Sequence, residues 1–596
     1  MPKRKGQVLY NAPILEQSFV LKTIASLREI AGHARFSLAN DELVDAILQQ
    51  AGKLAGEVFG PLCRSGDIEG ARWEDGNVVL PNGFRDAYNL YREGGWASLH
   101  ADPDTGGQGL PFALSCAVQE QLTSANMAFA LCMMLSQGAI HALSHHASEE
   151  LQRRFLSRLV SGEWTGTMNL TEPQAGSDVG ALRTQATPDV DGRYRISGEK
   201  IFITWGDHDV AENIVHLVLA RLPGAPVGTK GISLFLVPKF LVNDDGTLGN
   251  RNGVSCRSLE RKLGIHASPT CTMQFGDESI CFGWLVGEEN QGMAAMFTMM
   301  NHARINVGLQ GVAIAERAYQ RSVKYAYERQ QHGRLIATFP DVRRMLMTMR
   351  ANTQAARALV YYTASQVDLA AAAAEPVDRR QFQCRADLLT PVAKSWATDL
   401  GVETTSLGIQ VLGGLGYIED SGAAQDFRDA RIAPIYEGTN GIQAIDLVAR
   451  KLGIDDGRHW RELFAEIENS LTRASLIPTL ESMASALRSG LEAVSRSTLW
   501  LTSSASNLPD QRLAAASAYL RIFGNLVGGW LLLIEAEATL GDLYSQEYDR
   551  AFLDAKVATA KFFAEQIVAP QSAISSGLLL AGSGDYQLSG DQMLSR

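Results

Sequence analysis

One carboxylate, Glu437 in the run RIAPIYEGTNGIQ (residues 431–443), carries the sharpest chemical signal in the chain. It stands between Tyr436 and Gly438 in a stretch otherwise short of charge. A carboxylate kept among apolar neighbours is costly unless it titrates or has a task, because burial disfavours its charged form. The same run also reads as a surface turn leading into a helix, so the rest of the sequence has to decide.

Further runs bear on that decision. MNLTEPQAGSDVGAL (168–182) mixes proline, glycine and small hydroxyl residues, a composition that leaves backbone amides free for a flat polar ligand, or makes an ordinary loop. GEKIFITWG (198–206) reads as a strand with Phe202 and Thr204 on one face, which suits either a wall for a conjugated ring or plain core packing. In YAYERQQHG (325–333), Arg329 offers a fork-shaped cation matched to a diphosphate. In IQVLGGLGY (409–417), Gly413 and Gly414 permit close backbone approach to phosphate. No GxGxxG follows a strand, so a Rossmann site is not supported. His141 and His145 in HALSHH have metal-ligand spacing but lack the glutamate of HExxH and a third ligand; no metal site is expected. No GxSxG elbow is present, which weakens a serine hydrolase reading.

The elements that must position these residues follow from composition and period. At 596 residues, with 46% apolar and 20% charged residues, the chain reads as a soluble protein of several domains. Its formal charge of −11 disfavours broad nucleic-acid binding. Seven scattered cysteines with no CxxC pair read as a reducing compartment rather than a disulfide framework. The basic start, MPKRKGQVLYNAPIL, lacks the apolar run of a secretory signal. LVGGWLLLIEA reaches Glu535 too soon to cross a bilayer, so no transmembrane segment and a cytoplasmic location are expected.

Helical periods dominate residues 1–160, as in DELVDAILQQAGKLAGEVFG. Residues 161–285 switch to short runs of branched and aromatic residues between turn signals, a β-domain. Long helical segments return over 286–455 and suggest an antiparallel four-helix bundle. GIDDGRHW reads as a linker, after which 456–596 form a further helical domain ending in a Gly/Ser-rich tail. The expected class is α+β: helical, β, helical bundle, then an appended helical domain.

Taken together, the motifs resemble the acyl-CoA dehydrogenase family. TEPQAGSD, IFITWG, KLGIHASPT, ERQQHG, QVLGGLGY and IYEGTNGIQ match its blocks in order, over about residues 80–455. The length resembles the long subfamily that includes bacterial fatty acyl-CoA dehydrogenases and 3-methylmercaptopropionyl-CoA dehydrogenases. The resemblance makes Glu437 the base that removes the proton next to the thioester, with a hydride then passing to N5 of FAD. It implies that Met168, Thr171 and Thr204 contact the flavin, with Phe202 packing beside it. Ser177 would touch flavin phosphate or the CoA. Asn301 and Arg304 would lie near the CoA, and Gly438 would let the acyl chain lie against the backbone. Arg329, Gln410, Gly413 and Gly414 would hold the FAD diphosphate of a neighbouring subunit, and Thr439 would sit near the adenosine. Phe202 departs from the family's frequent tryptophan, and Ala303 stands where one branch carries an alternative catalytic acid.

The resemblance further implies an acyl-CoA substrate and an electron-transferring flavoprotein as acceptor. Medium-to-long straight acyl chains in fatty acid β-oxidation are the expected substrates; a short substrate such as 3-methylmercaptopropionyl-CoA is the alternative. An acyl-CoA oxidase and a DNA-associated flavoprotein of the same fold are the other readings. TEPQAGSD differs from the oxidase-like TExGHG, and the acidic charge opposes DNA. A homodimer is expected, the appended domain covering the surface a second dimer would use.

Overall fold

The computed structural model describes residues 10–503, 509–581 and 589–594. The first nine residues of the basic start and most of the Gly/Ser-rich tail, both read from the sequence, lie outside the described residues.

Helices lead the chain as expected, among them Asp41–Lys53, Phe112–Ala125 and the almost wholly buried Met127–His146. One departure is a small hairpin, Arg72–Glu74 with Asn77–Val79, inside the segment read as helical. Its strands of three residues are too short to register against the helical period on either side.

The β-domain is built on an eight-stranded sheet. Along it run Val254–Leu259, Thr270–Phe275, Arg193–Thr204, Phe282–Val286, Ile232–Pro238, Asn213–Arg221 and Trp164–Asn169, with Gln185–Pro188 off this path. Neighbours are antiparallel except that Trp164–Asn169, and Gln185–Pro188 through Gln185, run parallel to Asn213–Arg221. NIVHLVLAR and ISLFLVP are apolar almost throughout and buried along their length. Such unbroken apolar runs fit strands covered on both faces.

Three long helices follow: Gly292–Glu328, Pro340–Ala372 and Pro376–Leu412. The latter two begin on prolines, whose missing N–H costs nothing in the first turn. The first and third meet backbone to backbone. A Cβ on Gly308 would lie 2.6 Å from the Ala393 carbonyl oxygen, and one on Gly311 2.2 Å from that of Ala397. That close crossing fixes the register of the two helices and brings the segment around Arg304 opposite the segment around Lys394. A shorter helix, Asn440–Ala449, packs on the third.

The appended region is helical, as expected, with Arg458–Ala474, Glu481–Thr502, Pro509–Ala538, Arg550–Phe563 and Gln571–Ala581. It is anchored by Trp396 of the bundle, whose ring lies under Gly524 and Gly528 and whose Nε1 donates to Asn525 Oδ1 at 2.9 Å. The segment read as a linker forms a tight turn over Lys451–Gly457, with Asp455 and Asp456 both left-handed. The membrane argument from Glu535 needs correction. Met127–His146 and Asp510–Ala538 are both long and apolar enough to cross a bilayer. In each, 78% of the apolar 18-residue stretch is buried within the protein, so core packing accounts for the composition.

Candidate active site

Glu437 lies in the turn that joins the 423–430 helix to Asn440–Ala449. It is left-handed at φ 54°, and Gly438 follows at φ 82°. Two such residues in succession turn the chain sharply, a conformation that costs of order 1–3 kcal/mol at a non-glycine residue. Among the described residues the Glu437 amide N–H meets no acceptor, and the carboxylate has no hydrogen bond or ion pair. The residue keeps partial solvent contact. Nevertheless, nothing replaces the water its carboxylate loses, and burial pushes its proton affinity above the usual carboxylate range. Arg304 first, then Lys394, pull it back down.

Those two cations come from the helices that cross at Gly308 and Gly311. Arg304 is buried, its Nε has no partner, and burial lowers its proton affinity against the pull of Asp446 and Glu437. The Lys394 side chain is fully buried, with Nζ 2.8 Å from the Gly438 carbonyl oxygen and 2.8 Å from Asn440 Oδ1. Burial lowers its pKa to about 7, opposed by Glu437 and Asp399. The wall beside Glu437 is also defined. Tyr436 donates its hydroxyl to Gln310 Oε1, and Gln310 Nε2 reaches Met134 Sδ at 3.3 Å.

The flavin-loop candidates gather on the β-domain. Met168 is buried on the edge strand Trp164–Asn169, and the Thr171 carbonyl accepts from the Ile201 amide. The Thr204 carbonyl accepts from Thr167 Oγ1 at 2.8 Å. Phe202 is 58% exposed at φ 60°, a large ring held open to solvent. A bulge breaks strict alternation here, because pairing with Thr270–Phe275 skips between Ile203 and Lys200. Phe202 and Thr204 are nonetheless both more exposed than the buried Ile203 between them. The loop is organised by a buried pair missed in the sequence: Glu172 accepts from Lys200 Nζ at 2.8 Å and from the Arg183 and Thr184 amides. Ser177 is exposed beyond it.

A third group lies elsewhere. Arg329, Gln410, Gly413 and Gly414 are exposed, and a Cβ on either glycine would meet nothing within 4 Å. Gln410 is sixteen residues along a continuous helix from Lys394, or about 24 Å. One chain thus does not bring this group to Glu437. Asn301 lies one turn from Arg304, and Ala303 between them is buried. Thr439 caps the Asn440–Ala449 helix, its hydroxyl accepting the Ile442 amide at 3.3 Å. Gly438 has a reason beyond acyl-chain access, since a Cβ there would lie 2.6 Å from Gln443 Nε2.

The exposed ring of Phe202, the open edge at Gly413 and Gly414 and the unpartnered donors at Arg304 and Glu437 fit a flat aromatic cofactor with a diphosphate and a thioester ligand. Among the described residues one group has metal-ligand spacing, Cys384, Asp455 and His459. There Arg380 and His459 already contact both oxygens of Asp455, at 2.5 and 2.8 Å.

With that geometry in place, the comparisons agree. Residues 69–163 match the acyl-CoA dehydrogenase N-terminal domain, 167–277 its middle domain and 290–453 its C-terminal domain. Residues 463–584 match the family described as acetyl-CoA dehydrogenase C-terminal like. The chain belongs to the acyl-CoA dehydrogenase family. It is 43% identical to a 3-methylmercaptopropionyl-CoA dehydrogenase of Ruegeria pomeroyi, over 96% of this chain and 98% of that one. It is 34% identical to the broad-specificity linear acyl-CoA dehydrogenase FadE5 of Mycobacterium tuberculosis, over 94% and 95%. The Caenorhabditis elegans ACDH-11 structure in complex with C11-CoA shares the fold, with a TM-score of 0.79, 20% identity and coverage of 99% and 98%.

Proposed function

We propose that this FAD-dependent acyl-CoA dehydrogenase uses Glu437 as the base that removes the α-proton of its acyl-CoA, giving a trans-2-enoyl-CoA. The observation that carries the assignment is a carboxylate with raised proton affinity and no partner, next to an amide N–H that is also free. A thioester α-proton is too weakly acidic for a water-exposed carboxylate. Partial desolvation strengthens Glu437 as a base, while its own N–H meets the thioester oxygen and stabilises the enolate charge. Bound FAD supplies the two-electron acceptor for the β-hydrogen. Tyr436, Gln310 and Met134 close one side of the cleft against water. Met168, Thr171, Phe202 and Thr204 hold the flavin ring, and Ser177, Asn301 and Arg304 serve the CoA ester and phosphates. Arg329, Gln410, Gly413 and Gly414 hold the diphosphate of a second copy's FAD. Their distance from Glu437 within one chain supports that reading, and with it a homodimer.

Identity of 43% to a 3-methylmercaptopropionyl-CoA dehydrogenase over nearly the whole chain favours a short, thioether-sized acyl group. The medium-to-long linear chains expected from the sequence are the second reading, supported by the 34% identity to FadE5. Electrons leave to an electron-transferring flavoprotein, and the enzyme works in the cytoplasm. Anaerobic titration of the FAD-loaded protein with a graded acyl-CoA series tests the proposal. Bleaching of the flavin, fastest with 3-methylmercaptopropionyl- or butyryl-CoA, is expected. Bleaching by no acyl-CoA would overturn the function; fastest bleaching by long chains would overturn the short-chain choice.

A further inference from the structure

Glu437 and Gly438 hold a backbone shape that persists only where neighbours over-determine it. Gln443 Nε2 reaches the Glu437 carbonyl oxygen at 3.4 Å, and the other side-chain ties lie on little more than one helical turn. Lys394 Nζ donates to the Gly438 carbonyl and to Asn440 Oδ1. Asn440 Nδ2 in turn reaches the Ser395 carbonyl oxygen at 3.1 Å, Thr398 Oγ1 at 3.0 Å and Asp399 Oδ1 at 2.7 Å. The turn that carries the carboxylate is thus stitched to residues 394–399, with the buried ammonium at the centre of the stitch.

We propose that Lys394 is a positioning residue for the base: it fixes the Glu437–Gly438 turn through the Gly438 carbonyl and, while protonated, favours the ionised form of the Glu437 carboxylate. The inference rests on Glu437 being the base. Its logic is electrostatic as well as geometric. Burial raises the proton affinity of Glu437, and a protonated carboxyl cannot accept the α-proton. A nearby cation opposes that at some loss of basicity. Both hydrogen-bond acceptors of Lys394 are neutral oxygens, so its charge is left to act on the carboxylates around it. The charged groups facing Lys394 are Glu437, Asp399 and Arg304. Arg304 itself faces Asp446 and Arg450, and Asp399 faces Arg521 and Glu403. Among the described residues Arg304 has no hydrogen bond to the turn, whereas Lys394 combines the charge with a bond to it.

The test uses the FAD-loaded enzyme with a 3-thia-acyl-CoA, whose sulfur in place of the β-carbon leaves only α-hydrogen chemistry. Exchange of those hydrogens in D2O is followed by mass spectrometry across pH, alongside amide exchange of the segment 434–442. Lys394→Met is expected to move the acid limb of the α-exchange profile upward by about one pH unit or more. It should also speed amide exchange in the turn by about tenfold or more. Lys394→Gln keeps a donor and loses only the charge, so the limb moves up while the turn stays better protected than in Lys394→Met. A Lys394→Met enzyme with the limb and the turn both unchanged would overturn the proposal. If that variant does not fold, an unmoved limb in Lys394→Gln overturns it instead. Glu437→Gln separates the two claims: undiminished α-exchange there refutes the base assignment itself. Loss of exchange in Glu437→Gln, with both Lys394 variants like wild type, refutes only the role of Lys394.

Discussion

Two charged regions of the molecule are built on opposite plans. At the junction of the appended helices with the rest of the chain, Glu16, Glu120, Glu316 and Glu535 converge on Arg357 and Lys556. Each of these charges touches one of opposite sign, and Tyr361 adds a hydrogen bond to Glu120 at 2.6 Å. Around Glu437 the two cations are as deep, yet the half-buried carboxylate has no ion pair, Arg304 Nε has no partner, and Lys394 bonds only to neutral oxygens. The junction commits its charges to each other and gains a defined interface. The cleft leaves its charges uncommitted, and that is where a ligand can be met. Sites that break local rules in this way are where function is expected.

The comparison can be broken most severely at the junction. Lys556→Met strands Glu535 without its cation, leaves Glu16 only the 3.8 Å contact with Arg357, and is expected to destabilise the protein by about 3–5 kcal/mol, read as a fall in denaturation midpoint. Adding Glu16→Gln and Glu535→Gln should recover much of that loss. A Lys556→Met protein as stable as wild type would show that the junction's pairing is not what holds the appended helices.

A smaller effect sharpens the same point through pH. The junction has one more carboxylate than Arg350, Arg357 and Lys556 balance, and burial with Glu16 nearby raises Glu535 to about 7. A raised carboxylate means the folded protein holds a proton that the unfolded chain has released. Between about pH 4.5 and about 7 this group therefore makes stability fall as pH rises, by at most about 1.4 kcal/mol per pH unit. Glu535→Gln should remove that slope, measured by denaturant unfolding at several pH values. The smallest effect belongs to the cleft: Thr439→Ala removes the cap of Asn440–Ala449 and is expected to lower stability by about 1 kcal/mol.

The contrast also marks what could be read from the sequence. The order of helical, β and helical regions was legible because each is long enough to repeat its period many times. Glu437, Phe202 and the glycines at 413 and 414 stand out as candidates because they lie in short motifs whose residue types already carry chemistry. Lys394 was not. It lies mid-helix in a run with no local signal, and only the crossing at Gly308 and Gly311 brings its helix under the turn. Glu172 with Lys200, and Gln310 with Met134, escaped for the same reason, as pairs made by tertiary register. The junction is the extreme case, with Glu16 and Lys556 separated by 540 residues. The bulge at Phe202 hid because alternation assumes unbroken pairing, and the Arg72–Val79 hairpin because its strands are too short to show a period.

The central claim, that an unpartnered Glu437 takes the α-proton, is tested most directly by one variant. Glu437→Gln keeps the size of the side chain and removes its basicity, so the protein should still hold FAD and stay yellow. Mixed anaerobically with the best acyl-CoA, it is predicted to bleach at least about 10²-fold more slowly than wild type. Bleaching at the wild-type rate would contradict the account.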